Sequence, residues 1–310
     1  MALTLLEASK IAQDRGETQR AAIMELFARS SDIVAAMPFV DIPGNSLAYK
    51  IEAALPGIAF RGVNEAFPES TGVINPRTES LAIAGGDLDV DRYLVTTMGA
   101  ETRGVQEALK VKALAQAIAL KIVKGSTASD PREFDGLQIR LTGTQLISNS
   151  AGTGAPLSLS NLDQLIDAVN SPTHLVMNKS LRRRFSAAAR TANVAGDLQF
   201  TMDDFGRRVT VYNGLPILVA YEGSGGGTEI LNFDEAAAGG GSTSTSIYCV
   251  SMGENALTGL QNGAMDVRDL GELNTAPVFR TRVEWFVGLA IFNPYAAARL
   301  YGITDTAIVA

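Results

Sequence analysis

Residues 101–124, ETRGVQEALKVKALAQAIALKIVK, decide the fold. Val111, Leu114, Ile118 and Ile122 form one helical stripe. Val105, Leu109, Ala113, Ala117 and Leu120 form a second, and together they predict a broad apolar face. No proline interrupts the run. Lys121 and Lys124 sit in the last turn and Gly125 follows, a pattern that predicts a left-handed cap. A helix of this length is a rod of about 36 Å.

Upstream, Val90–Thr97 predicts a shorter helical piece, with Asp87, Asp89 and Asp91 biasing its start. Residues 45–84 predict a long β-hairpin. In NSLAYKIEAA (45–54), Leu47, Tyr49 and Ile51 alternate against Ala48 and Lys50, and in TESLAIAGG (78–86) Leu81 and Ile83 alternate. The connection between them holds Pro56, Gly57, Gly62, Pro68, Gly72, Asn75 and Pro76, and is longer than an ordinary hairpin loop. A two-stranded ribbon is marginal alone in water and its open edges invite partners, so this one is expected to rest on another subunit. Residues 1–40 predict a helical arm carrying Leu3, Leu6, Ile11, Ala22, Ile23, Leu26 and Phe27, interrupted near Gly16 and closed by Pro38 and Pro43. Its apolar face needs the body of this chain or of a neighbour.

Downstream the periods alternate. GLQIRLTG (136–143) predicts a short strand, and LSLSNLDQLIDAVN (157–170) a helix over Asn161–Val169 with Ser160 as N-cap. His174–Asn178 predicts an apolar strand and Lys179–Thr191 a helix. RRVTVYNGLPILVA (207–220) predicts two strands about a turn at Asn213–Gly214. The glycine-rich stretches within 222–246 predict loops, IYCVSMG (247–253) a strand, and FRTRVEWFVGLAIFN (279–293) an alternating ribbon. The class is α+β, with one long helix, one long ribbon and a mixed core.

Composition narrows the chemistry. The net charge is −7 and 46% of residues are hydrophobic, an ordinary globular mix. No apolar run reaches transmembrane length, and the first residues lack the basic start of a signal peptide. One cysteine and one histidine exclude an internal disulfide and any site clustered from those residues. Net acidity argues against a protein held on nucleic acid by a basic surface. His174 lies in a predicted core strand, and Cys249 between apolar neighbours reads as a small core residue. Gly223–Thr228 lacks the lysine of a phosphate-cradling loop and no amphipathic helix follows, so a flexible loop is the stronger reading. Arg182, Arg183 and Arg184 fan around a helix, which fits a solvated face or a subunit contact. Trp285 and Phe286 are expected in a sheet core. The raw material for catalysis is poor.

The order of these elements resembles the major capsid proteins of tailed bacteriophages. The stretches that carry the resemblance are GGDLDVDRYLV (85–95), the 101–124 helix, PTHLVMNKSLRRRF (172–185), YNGLPILV (212–219) and RTRVEWFVGLAIFNPYAAARLYGI (280–303). It implies an N-terminal arm at 1–42 and an extended loop at 43–88 reaching over a neighbouring subunit. It also implies a peripheral domain at 89–136 and 276–310, with the long helix as spine, and an axial domain at 137–275 around five-fold and six-fold axes. The implied function is non-enzymatic: a self-assembling head shell of pentamers and hexamers that encloses double-stranded DNA. Phe27, Tyr49, Lys50, Phe60, Arg61, Phe67 and Arg77 are the implied inter-subunit contacts. Implied partners are further copies of the chain, scaffold, portal and decoration proteins, and DNA bound without sequence specificity. No cofactor, metal or membrane is implied, and the location is the virion, assembled in the host bacterial cytoplasm. An acidic shell lets packaged DNA slide where a basic one would grip it. The alternatives are an encapsulin-type compartment or a gene-transfer-agent shell and, distantly, a soluble α/β enzyme built around His174 or the glycine loops.

Overall fold

The computed structural model describes residues 3–14, 22, 24–27, 30–99, 101–188, 198–202, 208–220, 229–263 and 265–309. In chain order the first elements are β1 (Leu3–Thr4), α1 (Leu5–Asp14), α2 (Asp32–Ala36), β2 (Pro38–Asp41), β3 (Ser46–Ala54), β4 (Val73–Ser80), β5 (Ala82–Asp91), α3 (Arg92–Met98) and α4 (Glu101–Lys124). Next come α5 (Leu137–Arg140), β6 (Leu146–Ser148), α6 (Leu159–Asp167), β7 (His174–Met177) and α7 (Lys179–Ala188). The chain ends with β8 (Leu198–Met202), β9 (Arg208–Tyr212), β10 (Leu215–Val219), β11 (Thr245–Val250), β12 (Leu257–Gln261), β13 (Asp266–Glu272), β14 (Val278–Ile291) and β15 (Ala297–Ile303).

A six-stranded sheet is built on β14. β12 and β13 pair with the two halves of one edge, β5 runs antiparallel along the other, and β2 and β1 extend it beyond β12. α4 packs on its inner face. Val111, Ala115, Ile118, Ala119, Ile122 and Val123 of the helix share a core with Val283, Trp285, Val287 and Leu289 of β14. The arm closes that core from the side, through Leu5, Met24, Phe27, Ile33, Val34, Met37 and Phe39. Of the residues expected on the arm's apolar face, Leu26 and Phe27 are thus covered by this chain's own body and Ala22 is exposed, while the side chains of Leu3, Ile11 and Ile23 lie outside those described.

The second sheet runs β6-β15-β11-β7-β10-β9-β8. Its central strands are buried on both faces, which is why they read as apolar runs. Val176, Tyr248 and Val250 face the α4 core, whereas Leu175, Met177, Ile247, Cys249 and Leu300 face a second core under α6 and α7. Asn213 and Gly214, both at positive φ, make the tight β9–β10 turn. The strands cut across the expected division. β12 and β13, inside 137–275, join the α4 sheet, and β15, inside 276–310, joins the second sheet.

Several expectations change. GLQIRLTG holds the short helix α5, because the N–H groups of Ile139 and Arg140 turn back on the Gly136 carbonyl. α6 starts at Leu159 with Ser158 as N-cap, two residues before the predicted start, because Leu159 N–H donates to the Val309 carbonyl at 3.0 Å. Gly125 is not in the left-handed region. Glycine is required there by close approach, since a Cβ would lie 2.4 Å from the carbonyl oxygens of both Lys121 and Phe134. The second stripe of α4 is open to solvent at Val105, Leu109, Ala113 and Ala117. Among the described residues no helix is long and apolar enough to cross a membrane.

Candidate assembly surfaces

A hairpin forms, but over 46–80 rather than 45–84. Its return strand is β4, which takes in Asn75 and Pro76 from the expected connection, while Ile83 belongs to β5 on β14. Leu47 lies opposite Glu79, Tyr49 opposite Arg77 and Lys50 opposite Pro76. Period two places Leu47, Tyr49 and Ile51 on one face, and this face meets the body near the hairpin's base. Leu47 and Tyr49 pack against the small cluster of Ile42, Leu260 and Ala290. The Tyr49 ring meets Phe292 edge-on at 4.8 Å. Tyr49 Oη lies 3.2 Å from both Glu79 Oε1 and the Ile291 carbonyl. Burial is the main reason its phenol titrates above the usual tyrosine range, with the Glu79 charge adding to the effect.

Beyond the paired strands, residues 55–72 leave a row of large apolar side chains in water: Leu55, Ile58, Phe60, Val63 and Phe67. Phe60 is fully exposed, and the Arg61 guanidinium lies 5.0 Å from the Phe67 ring centre. Lys50 and Arg77 are exposed on the ribbon. Six of the seven expected contact residues thus lie on the hairpin, with Tyr49 engaged at its base. Phe27 does not join them. Its side chain is 1% exposed and stacks edge-on against Trp285 at 5.1 Å, inside the chain's own core.

The outer face of the α4 sheet is a ladder of ion pairs. Across β5 and β14, Arg280 binds Asp89 through two nitrogens at 2.6 Å, and Arg282 binds Asp87 at 2.6 and 2.9 Å. Hydrogen bonds from these arginines hold the Asp87 and Asp89 carboxyls below the usual aspartate range. Both aspartates are therefore cross-strand partners; Asp91 alone of the three caps α3, accepting from Tyr93 N–H at 2.7 Å. Arg268 continues the ladder to Glu284 and Asp266. Phe286 lies on this outer face with Ile83 rather than in the core, whereas Trp285, one residue earlier, is buried. A second exposed apolar group, Tyr93, Met98, Val105 and Leu109, lies along α3 and the first half of α4.

The candidate catalytic groups are occupied structurally. His174 begins β7, with Nδ1 2.9 Å from Thr173 Oγ1. Cys249 is fully buried, and burial pushes its thiol up to about 12. Arg184 grips Asp305 through its side chain and carbonyl, and Arg183 binds Ser180. Glu235, buried, is closed into a network with Arg299 Nη2 at 2.9 Å, Ser246 Oγ and Lys124 Nζ at 3.6 Å. This network ties the 229–244 segment to β11, β15 and the end of α4. Gly223–Thr228 lies outside the described residues. Among those described, no three His, Cys, Asp or Glu side chains converge to hold a metal ion.

A two-layer body with an edge-built hairpin, a long helix and a second mixed sheet is the fold of viral and encapsulin shells. The SrpI encapsulin of Synechococcus elongatus superposes with a TM-score of 0.65 at 15% identity, covering 90% of this chain and 89% of that one. The Mycobacterium phage Bobi chain gives 0.61 at 13% identity, over 87% and 89%. The capsid of an empty GTA particle gives 0.59 at 14%, over 89% and 90%. No curated protein sequence matches the chain. The sequence itself points to one branch: residues 14–161, from the arm through the hairpin and α4 into α6, match the family model of major capsid protein GP7. A stretch just short of half the chain thus matches a major capsid protein family, and the whole chain takes the fold of these shell proteins.

Proposed function

We propose that the chain is the major head-shell protein of a tailed bacteriophage, a non-enzymatic building block of the virion. Copies close into pentamers and hexamers of an icosahedral shell around double-stranded DNA. The observation that carries this reading is the hairpin. A free subunit that holds Leu55, Ile58, Phe60, Val63 and Phe67 in water carries an interaction site waiting for a surface. Head-to-tail contacts that close by rotation supply that surface once per neighbour and generate rings. Lys50, Phe60, Arg61, Phe67 and Arg77 are the residues we assign to the neighbour's surface; Phe27 is not among them. We assign the arm to 1–42 and shorten the extended loop from 43–88 to 43–81, since 82–88 lie in β5 along β14. Of the two domains we assign 257–272 to the peripheral one and 297–303 to the axial one, following their sheets. Scaffold, portal and decoration proteins complete the head, and the net charge of −7 suits a wall that does not grip DNA.

The test is size exclusion and negative-stain microscopy of the purified full chain, with and without a crowding agent. Rings of five and six or closed shells are expected. A chain that stays monomeric at high concentration in both conditions contradicts the reading. Particles of one small size filled with a host enzyme would move it to the encapsulin branch, which the SrpI likeness represents.

A further inference from the structure

We propose that Glu79, Arg140 and Tyr49 form a latch that sets the angle at which the hairpin leaves the body, and through that angle the curvature of the shell. The inference rests on the assembly reading above and assigns the residues that position its reaching element.

Arg140 ends α5, and its guanidinium is used on three sides. Nη1 and Nη2 donate to the two oxygens of Glu79, the latter at 2.7 Å, while Nε donates to the Asp135 carbonyl at 2.6 Å. The pair is largely buried, with side-chain exposures of 8% for Arg140 and 15% for Glu79. A fork-to-fork arginine–carboxylate pair fixes orientation as well as distance. Arg140 is itself anchored. Leu137 and Leu141 on either side of it are buried in the α4 core, and Gly136 N–H donates to the Gly125 carbonyl at the end of α4. Asp135 accepts from both Thr127 N–H and Thr127 Oγ1 at 2.8 Å, closing the same turn. On the hairpin side, Glu79 also meets Tyr49, which reaches the Ile291 carbonyl and the Phe292 ring at the end of β14. One carboxylate therefore links the ribbon to both layers of the body, the turn after α4 and the end of β14.

The lever beyond the latch is long. Seven residue steps on β3 from Leu47, and six on β4 from Glu79, lead to the open end of the ladder, about 20–24 Å at strand rise. A tilt of about 10° at the base moves that end by about 4 Å, and the apolar tip beyond it by more. A loss of orientation at Glu79 is thus read out where a second copy is met, while the core around Trp285 is left untouched.

The experiment compares the full-length chain with Glu79→Gln, Arg140→Lys and Tyr49→Phe. Amide hydrogen exchange is measured on the dissociated subunits, and particle diameter by microscopy after assembly. The latch predicts that exchange in 46–54 and 73–80 rises about tenfold or more, while α4 and β14 hold their protection. It also predicts that Glu79→Gln and Arg140→Lys shells lose a single diameter and form open or irregular sheets. Unchanged hairpin exchange in all three variants, or shells of wild-type diameter from Glu79→Gln and Arg140→Lys, overturns it. Should Glu79→Gln fail to fold, Tyr49→Phe removes only a hydroxyl and its hairpin exchange decides. A wild-type chain that forms no shell contradicts the assembly reading instead, and subunit exchange still decides the latch.

Discussion

Replacing Phe27 by alanine separates two accounts of the arm. The ring is 1% exposed and meets Trp285 at 5.1 Å with the planes 88° apart. Truncating a buried phenylalanine removes its transfer energy and leaves a cavity, about 3–5 kcal/mol together, of which the edge-to-face pair supplies about 0.5–1.5 kcal/mol. The arm can shift to refill part of the space, so we expect the low end, about 3 kcal/mol. At a urea slope of about 3 kcal/mol per molar the midpoint falls by about 1 M. The assay is urea unfolding of the dissociated subunit, followed by the fluorescence of Trp285, the chain's one tryptophan. Phe27→Leu, which refills most of the volume, should recover much of the loss. A subunit whose stability stays within about 0.5 kcal/mol of wild type, yet no longer assembles, would refute the core placement and return Phe27 to the contact between subunits.

Excising 57–71 and bridging the gap with a short glycine turn should leave subunit unfolding unchanged and abolish assembly; shells of normal size would show that the tip is not the contact. Asp135 is held below the usual aspartate range, first by the Thr127 backbone hydrogen bond. Its charged form therefore adds stability that is present above the unfolded value near pH 4 and is lost as pH falls through the folded value. Asp135→Asn should destabilise at neutral pH and match wild type in strong acid, and a gap that persists in acid would remove the charge from the explanation. Cys249, with its thiol near 12 and its side chain buried, should resist alkylation in the folded subunit and react fully in urea; rapid labelling under native conditions would place it at a surface.

The long helix is legible in sequence to the residue, because a 3.6 period without proline meets charges and a glycine at its end. Periodicity tells which residues share a face but not whether anything covers it, so Val105 and Leu109 look like core and lie in water. In GLQIRLTG, Leu137, Ile139 and Leu141 alternate as a strand would, yet three residues cannot separate a period of two from one helical turn. The hairpin's outgoing strand is legible from its alternation, but its return is not: the Leu81 and Ile83 alternation leads into β5, and the true return strand carries Asn75 and Pro76, which read as turn-formers. Nor is the hairpin's anchor legible, because Glu79 finds Arg140 61 positions away and neither side chain is marked by its neighbours. The same holds for Asp87 and Asp89, whose arginines lie 195 and 191 positions away across β5 and β14. Their spacing before α3 resembles helix-start chemistry, and only Asp91 performs it.

The most direct measurement is a cryo-electron microscopy map of particles assembled from the wild-type chain. The account predicts closed shells with five-fold and six-fold capsomers, in which the 55–72 tip of each subunit covers apolar surface on its neighbour. Particles in which every tip folds back on its own subunit, or capsomers joined without the hairpin, would contradict it.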